Sequence, residues 1–211
     1  TGERRTYPNM LAREAARGQE YNAWSDGNPR SHVVILPFTR MLSGPMEYTP
    51  GVLDVEIKQG YPGRRVHGTT AQQLAMYVNF YSPIQMLADL PENYAVPGYQ
   101  FLKDVPTDWA DTKVLNAEIG EYLTTVRKDQ NSEDWYLGSM TNEKARDLDI
   151  SLSFLDAKAT YEAQIYADAE GADETHNPTA VAISKKTVKA SDVLKLHLGG
   201  AGGTAIRFKK L

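Results

Sequence analysis

From Val105 onward the chain is written in short runs whose apolar residues alternate with polar ones, and this pattern restricts its possible folds more than any other feature. Side chains of an extended strand point to opposite faces in turn, so a period of two marks a strand with one face buried. Tyr161, Ala163, Ile165 and Ala167 share one face of such a strand, and Thr160, Glu162, Gln164 and Tyr166 take the other. Leu194, Leu196 and Leu198 oppose Lys195 and His197 in the same way. Segments 113–118, 122–128, 135–140, 147–152, 160–167, 181–184, 193–198 and 204–208 read as strands. Turn residues separate them at spacings of about 8 to 12, the rhythm of an antiparallel sandwich. DQNSED at 129–134 reads as a hairpin turn and GGAGG at 199–203 as a loose connection.

The first stretch differs. Its clearest element runs from Thr70 to Ala88, with Thr69 or Thr70 as N-cap. Leu74, Tyr77, Val78, Tyr81, Ile84 and Leu87 recur there at three- and four-residue steps, the stripe of an amphipathic helix, and Pro83 predicts a kink. His32 to Leu42 is an apolar run interrupted by Pro37, and the Pro/Gly-bounded segment 44–51 fits a strand end or a loop equally. A helical, irregular half followed by an antiparallel half predicts a boundary near 103–108, with the second half able to fold alone. The first half has too few elements to bury its helix on both sides. The chain also opens at Thr1 on the polar run TGERRTYPN. Both features lead us to expect a piece of a longer protein whose missing N-terminal part supplies the remaining elements.

Composition removes several functions. Hydrophobic residues at 41% and charged residues at 24% supply a core and argue against wholesale disorder. A net charge of −4, with no basic run longer than a pair such as Arg64–Arg65, gives no footprint for nucleic acid. No window approaches the ~18 consecutive apolar residues of a membrane span. With no cysteine there is no disulfide, thiol nucleophile or Cys-ligated zinc. His32, His67, His176 and His197 are scattered without metal spacing, and the last two read as surface positions.

Long, idiosyncratic segments cover nearly the whole chain: TGERRTYPNMLAREAARGQEY at 1–21, LPFTRMLSGPMEYTP at 36–50, and in the tail DWYLGSMT, FLDAKATYEAQIYADA and HNPTAVAISKKTV. Together they resemble glycoside hydrolase family 97. The resemblance implies an α/β plus β chain, with 1–104 as the last segments of a catalytic (β/α)8 barrel and 105–211 as a C-terminal antiparallel β-sandwich. It implies an exo-acting, calcium-dependent α-glycosidase of bacterial type, periplasmic or extracellular, that cleaves terminal α-linked glucose or galactose from oligosaccharides. By the match, Glu20 in RGQEY takes the place of the general acid and Glu14 that of a calcium ligand. The base or nucleophile falls upstream of Thr1. Glu47 stands where the family more often has aspartate. Tyr7, Trp24, Arg40, Glu47 and Tyr48 are the candidates for contact with sugar, and for each aromatic the alternative is core packing.

Chemistry sets conditions on these residues. Acetal hydrolysis uses a proton donor and charge support for an oxocarbenium-like transition state, usually from two carboxyl groups, and Glu20 is only one. To stay protonated it needs desolvation or neighbouring carboxylates; Tyr21 and Trp24 would supply an apolar wall, and Arg17 would oppose. By spacing alone, Glu14, Arg17 and Glu20 read as a solvated helix face. Six residues of regular helix turn about 600°, so Glu14 and Glu20 share a site only if the chain is irregular between them, with Gly18 as the break. Calcium takes six to eight oxygens, so this chain supplies part of any such site. The alternative function is a non-catalytic β-sandwich serving as an accessory, carbohydrate-binding or structural module.

Overall fold

The computed structural model describes residues 3–57 and 62–211. Four short helices, α1 (Glu3–Thr6), α2 (His32–Ile35), α3 (Thr70–Asn79) and α4 (Tyr99–Asp104), are joined by irregular chain and 3-10 turns. Eight strands follow: β1 (Trp109–Glu118), β2 (Tyr122–Asp129), β3 (Trp135–Thr141), β4 (Arg146–Ser151), β5 (Tyr161–Asp168), β6 (Val181–Val188), β7 (Val193–Leu198) and β8 (Gly203–Lys210). Each segment expected from the alternation lies on one of them. The large sheet has the order β1-β2-β3-β8-β5-β6, and β4 and β7 form a separate pair. Val126, Leu137, Ile206 and Phe208 of the large sheet meet Ile150, Leu194 and Leu196 of the small one in a common core, which Leu152 joins from just beyond β4. Lys195 and His197 face outward, as period two requires.

Two strands cover only one face of this six-stranded sheet. The other face is covered by α3, which lies on β3 and β8. The approach is close because the strands offer no side chains there. A Cβ on Gly138 would stand 2.5 Å from the Ala75 carbonyl oxygen, and one on Gly203 would stand 2.7 Å from the Gln72 Cα. The opposite side of α3 packs under Val33, Val34, Met46 and Tyr48, so all ten helix residues are buried. Thr69 is the N-cap, its hydroxyl oxygen accepting from the Gln72 N–H at 3.1 Å. At the other end, Arg127 on β2 donates from Nε to the Val78 carbonyl at 2.6 Å, a cation at the negative end of the helix. Burial lowers this guanidinium to about 10.

Two expectations need correction. The helix stops at Asn79 and does not continue, kinked, to Ala88. Pro83 has no N–H for the Asn79 carbonyl, its ring would collide with that carbonyl, and it disfavours helical geometry at Ser82. The chain therefore leaves the helix, and Ile84 and Leu87 are exposed. The GGAGG connection is not loose. Asp168 Oδ2 accepts from the N–H groups of Gly199 and Gly203, each at 2.9 Å, while Oδ1 accepts from the Thr69 hydroxyl at 2.6 Å. Burial pushes the Asp168 carboxyl up, against the pull of these three bonds. Among the described residues no helix is long and apolar enough to cross a membrane.

Candidate active site

Residues 13–19 and 46–48 run side by side in the same direction. Arg13 and Met46 form a parallel bridge, Glu47 N–H donates to the Arg13 carbonyl at 3.0 Å, and Gln19 N–H donates to the Tyr48 carbonyl at 2.9 Å. The named strands pair antiparallel throughout, so this is a different kind of contact. Parallel neighbours need a crossover connection, and the intervening chain carries α2. Arg40 fastens the two segments, its guanidinium donating to the carbonyls of Arg13 (2.6 Å), Glu14 (2.9 Å), Gly44 (3.2 Å) and Pro45 (3.2 Å).

Both segments end at carboxylates. Glu20 sits in the 3-10 turn Gln19–Ala23, and its carboxylate curls back over Gly18, where a Cβ would stand 2.5 Å from Oε2. The Thr49 hydroxyl meets that same oxygen, while the Thr49 N–H donates to Glu47 Oε1 at 2.7 Å. Beneath them, Gln73 of α3 accepts at Oε1 from Gln19 Nε2 (2.7 Å) and from the Gly51 N–H (3.1 Å). Asn22 and Asn28 hold the turn from its other side: Asn22 Nδ2 donates to the Gln19 carbonyl at 2.7 Å and Asn28 Nδ2 to the Gly18 carbonyl at 3.1 Å. Burial pushes the Glu47 carboxyl up; the Thr49 N–H opposes this, and the negative charges of Glu20 and Glu14 reinforce it. Glu20 and Glu14 are therefore both within electrostatic reach of Glu47. A cleft of about 420 Å3 opens beside Glu20, walled by Gln19, Thr49, Val52, Leu87 and Leu90.

Residues 108–209 match the family described as glycosyl-hydrolase 97 C-terminal, oligomerisation. A glycoside hydrolase family 97 enzyme from Pseudoalteromonas sp. strain K8, solved in complex with panose, superposes on the whole chain with a TM-score of 0.93 at 48% identity, over 33% of its own length. Its complex with acarbose matches over the same shares, with a TM-score of 0.93 at 49% identity. The chain belongs to glycoside hydrolase family 97. A retaining alpha-galactosidase from Bacteroides thetaiotaomicron is 35% identical across 99% of this chain and 32% of its own length. The chain thus spans about a third of the length of these relatives. A beta-arabinopyranosidase with a TM-score of 0.77 at 23% identity shares the fold.

In this family 97 chain the expected residues take different positions. Glu20 and Glu47 come together through Thr49. Glu14 is exposed, and its carbonyl is held by Arg40. Arg40 itself is spent on backbone carbonyls and closes the loop instead of lining the cleft. Tyr48 is 2% exposed and packs edge-on against Phe80 at 4.9 Å, so its ring belongs to the core. Tyr7 and Trp24 are exposed and lie outside the cleft lining; Trp24 meets Tyr21 edge to face at 6.3 Å. Arg17 stacks over Tyr21 at 5.0 Å. Sequence reasoning missed Thr49 and Gln73 as site residues. Thr49 lies inside the quoted GPMEYTP segment, where nothing separates it from a turn residue.

Carboxylate oxygens are the donor type calcium takes. Among the described residues, however, no three acidic or histidine side chains converge as a metal cluster. The donors fit in kind and not in number.

Proposed function

We propose that this chain carries the general acid, Glu20, of an exo-acting α-glycoside hydrolase that removes terminal α-linked glucose or galactose from oligosaccharides. The observation that carries the reading is the placement of Glu20 on the wall of an open cleft, held by Thr49 and with the Glu47 carboxyl beside it. Glycoside cleavage needs a proton on the departing oxygen, and a carboxyl group on the wall of an open cleft is placed to deliver one. The opposite face of the sugar needs a second carboxylate, which we assign to upstream sequence.

Residues 1–104 we assign to the last segments of a (β/α)8 barrel. Parallel pairing of 13–19 with 46–48 supports this. So does the location of Glu20, Glu47 and Thr49 at the C-terminal ends of the two segments, the end at which barrels of this type build active sites. Glu14 we assign as one ligand of a calcium ion completed by residues outside this chain. When bound, the ion would supply fixed positive charge near the carboxylates.

The test is an assay of the complete protein and of residues 1–211 on para-nitrophenyl α-glucoside and α-galactoside. Turnover is expected from the complete protein alone; hydrolysis by residues 1–211 would overturn the shared site. Glu20→Gln in the complete protein should cost orders of magnitude on a disaccharide and far less on a nitrophenyl glycoside, whose leaving group needs little protonation. Near-normal rates on both would remove Glu20 from the acid role.

A further inference from the structure

We infer that Thr49 is a positioning residue for the acid step, its hydroxyl proton moving between the Tyr48 carbonyl and Glu20 Oε2 as Glu20 gives up its proton. The inference rests on the acid role proposed for Glu20. The Thr49 hydroxyl contacts two acceptors at once, Glu20 Oε2 and the Tyr48 carbonyl, the latter at 2.6 Å. It has one proton to give and rotates freely about its C–O bond. While Glu20 is neutral, the amide carbonyl is the stronger acceptor and the hydroxyl serves it. As the proton leaves Glu20 for the departing oxygen, and the glycosidic bond electrons move onto that oxygen, Glu20 becomes the stronger acceptor. The hydroxyl then turns to it, and a bond to a charged acceptor is about twice as strong as a neutral one. Stabilisation that grows as charge develops accelerates the step, whereas a fixed cation at the same place would strip the acid of its proton beforehand.

A second observation points to Thr49 independently. Its φ is 55°, in the left-handed region, where a β-branched residue is an outlier. Glycine or asparagine would occupy that position with less strain, and strain of this kind is retained where surrounding contacts fix it. Here the Thr49 N–H is held by Glu47 and the Gly51 N–H by Gln73. The charged groups around Glu20 are Glu47 on the Thr49 loop and Glu56 and Asp89 in the cleft wall; Arg17 is turned to Tyr21.

The experiment compares Thr49→Val, Thr49→Ala, Thr49→Ser and Glu20→Ala in the complete protein, on an α-linked disaccharide and on the matching nitrophenyl glycoside. Valine keeps the shape and β-branching, and alanine removes the hydroxyl without added backbone strain if valine fails to fold. We expect Thr49→Val and Thr49→Ala to lower kcat roughly 10- to 100-fold on the disaccharide. On the nitrophenyl glycoside the fall should be a few-fold at most, and Thr49→Ser should restore most of the loss. Equal losses on both substrates, no loss, or a serine variant as poor as alanine would each overturn the role of Thr49. If Glu20→Ala shows the leaving-group-dependent loss while the Thr49 variants do not, the Thr49 inference fails and the acid reading stands. If Glu20→Ala shows none, the acid reading itself fails.

Discussion

Gly18 is needed for its volume, not its backbone freedom. Its φ of −74° is open to any residue, but the Glu20 carboxylate occupies the space where a side chain would begin. We expect Gly18→Ala to leave the melting temperature within a few degrees, because the group that must move is the free end of a flexible side chain. The same substitution should lower activity of the complete protein on disaccharides by roughly an order of magnitude, through misplacement of the proposed acid. A fully active variant would mean that the carboxylate pose over Gly18 is not the working one. Residues like Gly18 and Thr49 left little trace in the sequence because their importance lies in what another residue does next to them. Arg40 and Tyr48 drew attention by type, yet backbone carbonyls claim the first and the core claims the second.

At the level of elements, the strands were legible and the role of α3 was not. Alternation reports which side chain faces the core, and it located all eight strands. Gln72, Gln73 and Asn79, by contrast, lie off the apolar stripe expected of this helix, and all three are buried. Gln73 explains why: its amide ties the Glu20 turn to the Thr49–Gly51 loop from below. The seat of the helix makes this testable. Gly138→Ala would press a methyl against the Ala75 carbonyl, part of a backbone that cannot turn aside. We expect a loss of about 1–3 kcal/mol, seen in thermal or denaturant unfolding. Activity of the complete protein should fall with it, since lifting α3 displaces Gln73. Unchanged stability would show that α3 does not sit as tightly on β3 as described. Where the helix ends was legible in principle, since Pro83 forbids the bond that would continue it past Asn79.

For the molecule as a whole, the antiparallel half holds the largest core and the irregular half holds the candidate carboxylates. The sandwich core closes on itself, although Val114, Ile119, Ile183 and Val193 are exposed on its surface, as Leu42, Trp24, Ile84, Met86 and Leu87 are on the other half. The irregular layer also carries Glu14 and Glu20, whose negative charges act on Glu47, and a cation nearby would relieve that repulsion. We expect a chelator to lower both the activity and the melting temperature of the complete protein, and added calcium to restore them, because a ligand bound only by the folded state stabilises it. No change in either quantity would remove Glu14 from its assigned role. Residue spacing alone does not announce a calcium site in this chain; Glu14 is proposed as a ligand through the family resemblance.

The glycine seat under α3 also decides how this protein can be recombined with others. A graft of the sandwich cut at residue 105 would carry Gly138, Gly203 and Ala205 into a host while leaving behind the helix they were shaped for. The bare trough would then meet foreign side chains. A cut ahead of Thr69 transfers the helix, its cap, its Asp168 anchor and its Arg127 clamp as one piece. The unit of exchange in this chain is therefore the sheet with its helix, and its border lies some way before the first strand.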